Sequence, residues 1–225
     1  LVYPRLRTIP NDTFASFQIE VPSEKVPSLY LDGRPAREMA SAFEIEGMLK
    51  AISLVPDQKI RVERIFYPAA TALCGIEKVT LTNEGEKEVA FALDAPQESL
   101  ICRGRGTKGV YRMELTHTAL ATRLKPHSFY LFYSARIACE PPIRLDGEKE
   151  LTARKELVAL LRDSQAVLDT GDKVIDRLFA FSKIRAGESL FSTDGGLMHC
   201  PGGHTYYAAT WCNDEVQYAG PWFAL

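Results

Sequence analysis

The sequence predicts a mainly β fold with an α-helical part: an N-terminal antiparallel β-sandwich, then helices. Three observations carry this. Apolar residues recur with a period of two, with turn signals between the runs, as far as about residue 140. Pro141-Pro142 then closes the β region, because proline cannot donate to a sheet ladder. Beyond it the chain turns rich in Glu, Lys, Ala, Arg and Leu, the strong helix formers.

Phe43, Ile45, Gly47 and Leu49 alternate with Glu44, Glu46, Met48 and Lys50, which predicts one half-buried strand. Ile60 and Val62 alternate with Arg61 and Glu63 in the next. Val79–Thr82 and Val89–Leu93 flank Asn83-Glu84-Gly85-Glu86-Lys87, which reads as a hairpin turn. Tyr111, Met113 and Leu115 form a further run. Phe129, Leu131, Tyr133, Ala135 and Ile137 form another, after the turn-like Lys125-Pro126-His127-Ser128. Repeated short strands without a long helix fit a two-sheet sandwich. A connecting helix is expected over 148–163. Asp169-Thr170-Gly171-Asp172 forms a turn with an N-cap, and a second helix follows over 173–190, with Ile175, Leu178, Phe179 and Ala186 on one stripe. Segment 195–203 reads as a glycine-rich loop, and a further helix opens near Asn213.

A chain of 225 residues with 46% hydrophobic and 25% charged residues can build an ordinary core. Its net charge of −2, from 27 basic and 29 acidic residues, points to no nucleic-acid or anionic-membrane partner. No apolar run approaches the roughly 20 residues that would span a bilayer. The start at Leu-Val-Tyr reads as processed or trimmed and leaves the compartment open. The five cysteines, Cys74, Cys102, Cys139, Cys200 and Cys212, are odd in number and show no CxxC spacing, so buried thiols are expected. His199-Cys200, His204 and Cys212 match no common zinc spacing, so neither a metal nor another cofactor is implied.

The densest chemistry lies at 196–215. There Gly-Leu-Met-His-Cys-Pro-Gly-Gly-His leads into Tyr206, Tyr207, Trp211, Cys212, Asn213, Asp214 and Glu215. Aromatic faces stack on sugar C–H surfaces and carboxylates accept hydrogen bonds from vicinal hydroxyls, so a carbohydrate partner fits this composition. Asp214 and Glu215 also suit the first turn of a helix, where the dipole favours acids. Adjacent helical acids point about 100° apart, which makes Asp214 the ligand-facing candidate and Glu215 the secondary one. Pro201-Gly202-Gly203-His204 reads as a tight connection or a phosphate cradle, though no P-loop Lys-Ser/Thr follows. His199 and His204 are either acid/base groups or structural. No Gly-x-Ser-x-Gly is present. In the β region, Arg64, Tyr67, Arg103 and Arg105 face either a ligand or the edges and loops of the sandwich.

The stretch from Asp169 to Phe223 resembles the six-hairpin glycosidases, the clan of glucoamylase-like, trehalase-like and glycogen-debranching-like enzymes. The likeness is carried by Thr170-Gly171-Asp172, Phe181-Ser182-Lys183-Ile184-Arg185, Gly195-Gly196-Leu197-Met198-His199, Tyr206-Tyr207 and Trp211-Cys212-Asn213-Asp214. The last group is similar to a Trp-x-Arg-Asp or Trp-x-Asn-Asp signature near the front of the α/α toroid, with Asn213 where many relatives have Arg. The resemblance implies a β-sandwich over 1–142, a helical linker over 143–170 and the beginning of a toroid over 171–225. It also implies an inverting mechanism, with an acid and a base about 6.5–9.5 Å apart, both supplied by later hairpins. Asp214, Trp211, Asn213, Tyr207 and His204 would bind substrate, and Glu215 is the one catalytic candidate within the chain. A secreted or periplasmic setting accords with this resemblance.

The expected activity is therefore that of the front part of a glycoside hydrolase, inactive by itself. The alternative is a non-catalytic carbohydrate-binding or scaffold module. A third reading is a metal or thiol enzyme using His199, Cys200 and Cys212. Without later hairpins, Phe179, Phe181, Trp222 and Phe223 would lie exposed, which predicts a homodimer through this tail or a tail without fixed order.

Overall fold

A computed structural model describes residues 2–3, 17–18, 21–22, 26–72, 74–94, 98–103, 110–117, 123–138, 145–164, 166–193, 196–199, 217 and 220. The elements are β1 (Val2–Tyr3), β2 (Phe17–Gln18), β3 (Ser28–Leu31), β4 (Arg34–Pro35), β5 (Met39–Ile45), β6 (Leu49–Val55), β7 (Ile60–Pro68) and β8 (Cys74–Asn83). They continue with β9 (Val89–Asp94), β10 (Glu98–Arg103), β11 (Val110–His117), β12 (Arg123–Leu124), β13 (Phe129–Ala138), α1 (Gly147–Asp163), α2 (Lys173–Gly187), β14 (Leu190–Thr193) and β15 (Gly196–His199). Among the described residues the fold is mainly β, with α1 and α2 beside it, as the alternation predicts.

The chain divides into two compact units. One comprises Glu20–Ile101 with Tyr111–Arg154, and the other Leu1–Ile19, Cys102–Val110 and Lys155–Leu225. The first holds a seven-stranded sheet, in the order β10-β11-β13-β8-β7-β6-β5, and a four-stranded sheet, β12-β9-β3-β4. Strand pairing within both is antiparallel. Leu29, Leu31, Val89, Phe91, Leu93 and Leu124 of the smaller sheet meet Val55, Ile60, Val62, Val79, Leu81 and Phe132 of the larger in one buried apolar cluster. The Phe91 and Tyr130 rings, 4.9 Å apart, join the two layers. The opposite face of the larger sheet is also covered. Tyr67, Cys74 and Ile76 pack there with Leu151 of α1, and the buried Arg154 guanidinium donates twice to Gly47 O, at 3.0 and 2.7 Å.

Several local expectations are corrected. The run from Phe43 to Leu49 is two strands, because Gly47 adopts φ +65° and reverses the chain between β5 and β6. Segment 83–88 is no hairpin: β8 pairs with β7 and β13, whereas β9 pairs with β3 and β12. The buried Asn83 holds this crossing, its Nδ2 donating to Lys87 O and Leu124 O and its Oδ1 accepting from Gly85 N. On β13 Phe132 enters the core between the sheets and Phe129 is exposed, while Tyr133, of the expected parity, packs on the opposite face beside α1. Residues 196–199 of the expected loop form β15, paired with β14.

In the second unit, the Asp172 carboxylate caps α2, accepting from Val174 N and Ile175 N. Gly187 of α2 lies against Leu161, where a Cβ would come within 2.7 Å of Leu161 Cδ1. The Lys183 ammonium donates to Arg162 O, Ser164 O and Ala166 O, satisfying carbonyls at and just beyond the end of α1. Phe179 and Phe181 are half-buried. Trp222 and Phe223 lie outside the described residues; among those described, the exposed large apolar residues of this unit are Leu157, Leu160, Val167, Leu168, Val174, Ile175, Leu178 and Leu197.

Candidate functional site

Tyr207, His204, Trp211, Asn213, Asp214 and Glu215 all lie outside the described residues, as does the helix expected near Asn213. Their neighbour His199 is described, on β15. Its Nδ1 sits 2.7 Å from Ser189 Oγ, and that hydroxyl donates its single proton to Ala186 O at 2.6 Å. The Ser189 hydroxyl thus lies within hydrogen-bond reach of both a backbone carbonyl and the imidazole. The pair orients the imidazole.

Of the sandwich residues singled out in the sequence, Tyr67 does not face a ligand. It is buried, and its hydroxyl donates to Gly147 O at the start of α1. Burial, with the Glu148 and Glu150 carboxylates nearby, pushes its phenol pKa up, so it stays a neutral donor. Glu150 accepts from Ala70 N at 2.7 Å, Thr71 N at 3.3 Å and the Thr71 hydroxyl. Burial raises its pKa, but these donors outweigh that and hold it below the usual carboxylate range. This region fastens α1 to the sheet.

Arg64 lies in a different setting. It donates through Nη2 to Glu38 Oε1 at 2.6 Å and through Nη1 to Glu77 Oε1 at 2.7 Å. Ser53 Oγ also donates to Glu38, at 2.6 Å. The strand register explains the position. Phe43, Ala51, Arg64 and Val79 are consecutive cross-strand partners and share one sheet face. Ile45, Leu49, Phe66 and Glu77 form the next row. Phe43 and Ile45 stand 65% and 61% exposed, so a charged network adjoins a solvent-facing apolar lip. Burial opposes ionisation of Glu38, but Arg64 and Ser53 hold its carboxyl below the usual range. Burial likewise disfavours the Arg64 charge, and the two glutamates raise its pKa regardless. With both carboxylates engaged by one guanidinium, this surface suits hydroxyl recognition and aromatic stacking rather than proton transfer.

The sequence reading missed Glu38, Ser53 and Glu77. The available signal was parity: Arg64 follows Val62, and Glu77 precedes Val79, on the apolar phase of their strands. Among the described residues no cluster of three or more His, Cys, Asp or Glu side chains could hold a metal ion. No described helix is long and apolar enough to cross a membrane. Neither a protein-family model nor a curated protein matches this chain.

Proposed function

We propose that this chain is the N-terminal portion of an inverting glycoside hydrolase of the six-hairpin clan, acting on oligo- or polysaccharides. Its β-sandwich is followed by the first helices of an α/α toroid. One observation carries the reading beyond the resemblance. Helix α2 presents an exposed apolar ridge of Val174, Ile175 and Leu178, with Val174 77% and Leu178 62% exposed. A ridge of this kind is what the next hairpin of a toroid covers. The homodimer expected from the sequence would bury this ridge against a second copy of the chain.

In this reading Asp214 holds sugar hydroxyls in the cleavage subsite, Trp211, Asn213, Tyr207 and His204 shape the pocket, and the acid and base come from later hairpins. The test is hydrolysis of α- and β-linked chromogenic glycosides by the complete protein carrying this chain, beside its Asp214→Ala variant. The expected result is activity that the variant loses by about 100-fold or more, with its circular dichroism unchanged. The 225-residue chain alone is expected to show no turnover; hydrolysis by it overturns these roles.

A second reading, the carbohydrate-binding module, is favoured by Phe43, exposed on the same sheet face as Arg64. Glycan retention that Phe43→Ala abolishes, with no hydrolysis from the complete protein, would put it first.

A further inference from the structure

A polar recess lies between β4 and the turn that joins β6 to β7. Arg34, Pro35, Arg37, Asp57 and Gln58 line a cavity of about 490 Å³. Its size is within the range of small-ligand sites. Both walls are held by backbone geometry. On one side, Asp32 and Gly33 at φ 48° and 75° make the tight β3–β4 turn, and Asp32 Oδ1 accepts from Ala90 N at 2.9 Å. Arg34 is the cross-strand partner of Leu31, so it leaves β4 on the face that borders the core. On the other side, Pro56–Gln58 form a single 3-10 turn between β6 and β7, closed by Lys59 at φ 54°, whose N–H donates to Pro56 O.

The charges in this recess are not spent on one another. Among the described residues no ion pair or hydrogen bond engages the side chains of Arg34, Arg37 or Asp57. Two guanidiniums and one carboxylate leave the lining with one net positive charge. That balance matches a monoanion. A phosphate dianion would overshoot it and would face Asp57. A guanidinium fork takes a carboxylate in bidentate fashion. Asp57 and Gln58 can then accept and donate to hydroxyls, and the Pro35 ring offers an apolar surface to C–H groups.

We infer that this cavity binds a carboxylate-bearing sugar, a uronate residue of an acidic glycan, with Arg34 and Arg37 on the carboxylate and Asp57 and Gln58 on the hydroxyls. The monoanion rests on the lining alone; the sugar that carries it rests on the glycosidase reading.

The test is titration calorimetry of the 225-residue chain with tri-galacturonate, its methyl ester and acetate, on the wild type and on Arg34→Ala/Arg37→Ala. Both arginines are exposed, so the double variant is expected to keep the wild-type circular dichroism. The expected result is saturable binding of tri-galacturonate, weakened by about 10- to 100-fold in the methyl ester and in the double variant. Equal affinity for ester and acid, indifference to the double substitution, acetate binding as tightly as the trimer, or no binding of the trimer overturns the inference. The hydrolysis assay reads the other claim separately. Hydrolysis without uronate binding removes only this site, and uronate binding without hydrolysis removes only the catalytic reading.

Discussion

Replacing Arg64 by Met tests whether the Glu38–Arg64–Glu77 network holds the sheet together or merely decorates it. Arg64 is 17% exposed, Glu77 5% and Glu38 25%. Glu77 is thus the partner out of water. A buried ion whose counter-ion is removed destabilises by about 3–5 kcal/mol. Glu38 keeps much of its hydration and adds at most about 1 kcal/mol. The Glu77 effect alone predicts a fall in melting temperature of roughly 6–20 °C for a chain of this size. Adding Glu77→Gln removes the buried charge that has lost the Arg64 guanidinium and is expected to recover about 2 kcal/mol. The assay is urea unfolding followed by far-ultraviolet circular dichroism on wild type, both single variants and the double. The pH dependence has a definite sign. Because the Glu38 pKa is lowered in the folded protein, its contribution is complete above the unfolded value of about 4.3 and is lost as pH falls through the native one. Arg64→Met removes the group that lowers it, so the gap between wild type and variant narrows below about pH 4. A loss under about 1 kcal/mol, or a double variant no more stable than Arg64→Met, refutes the network as a structural element.

Three further outcomes are expected. Gly147→Ala puts a Cβ 2.5 and 2.7 Å from Tyr133 Cδ1 and Cε1; the overpacking costs about 1–3 kcal/mol and exceeds the gain in helix propensity, so an unchanged melting temperature contradicts it. The Ala70 and Thr71 amide resonances report Glu150 protonation and titrate below the ordinary carboxylate range; a midpoint at or above about 4.3 disproves the assignment. Lys183→Met unties the end of α1 and accelerates amide exchange in α1 and α2 while the seven-stranded sheet keeps its protection; uniform acceleration across the chain rejects a local role.

Alternation made Ile60 and Val62, Met113 and Leu115, and Val89, Phe91 and Leu93 legible in the sequence, because each run buries every second residue. Asp172 was legible as a cap for the same local reason. Gly47 was not, since a glycine on the apolar phase looks like a small core residue until its φ is known. Periodicity also carries no record of which sheet a strand joins, so β8 and β9 read as a hairpin although they belong to different layers. The Arg64 network was hidden because charges on the apolar phase look like interruptions, and only register brings Glu77 and Arg64 into adjacent rows. The cavity combines residues about twenty positions apart, joined by two turns that no single motif announces.

The path of the chain through the larger sheet has a consequence for how the protein forms. Strands β5, β6, β7 and β8 are consecutive neighbours joined by short turns. Their pairing closes small loops and can proceed while the chain is still being synthesised. β13 must instead find β8 across the whole of β9 to β12, and β3 must wait for β9. The four-strand meander is therefore the part that can exist first. Asn83, which binds Leu124 O from the end of β8, acts as a latch that engages only after the second layer has arrived.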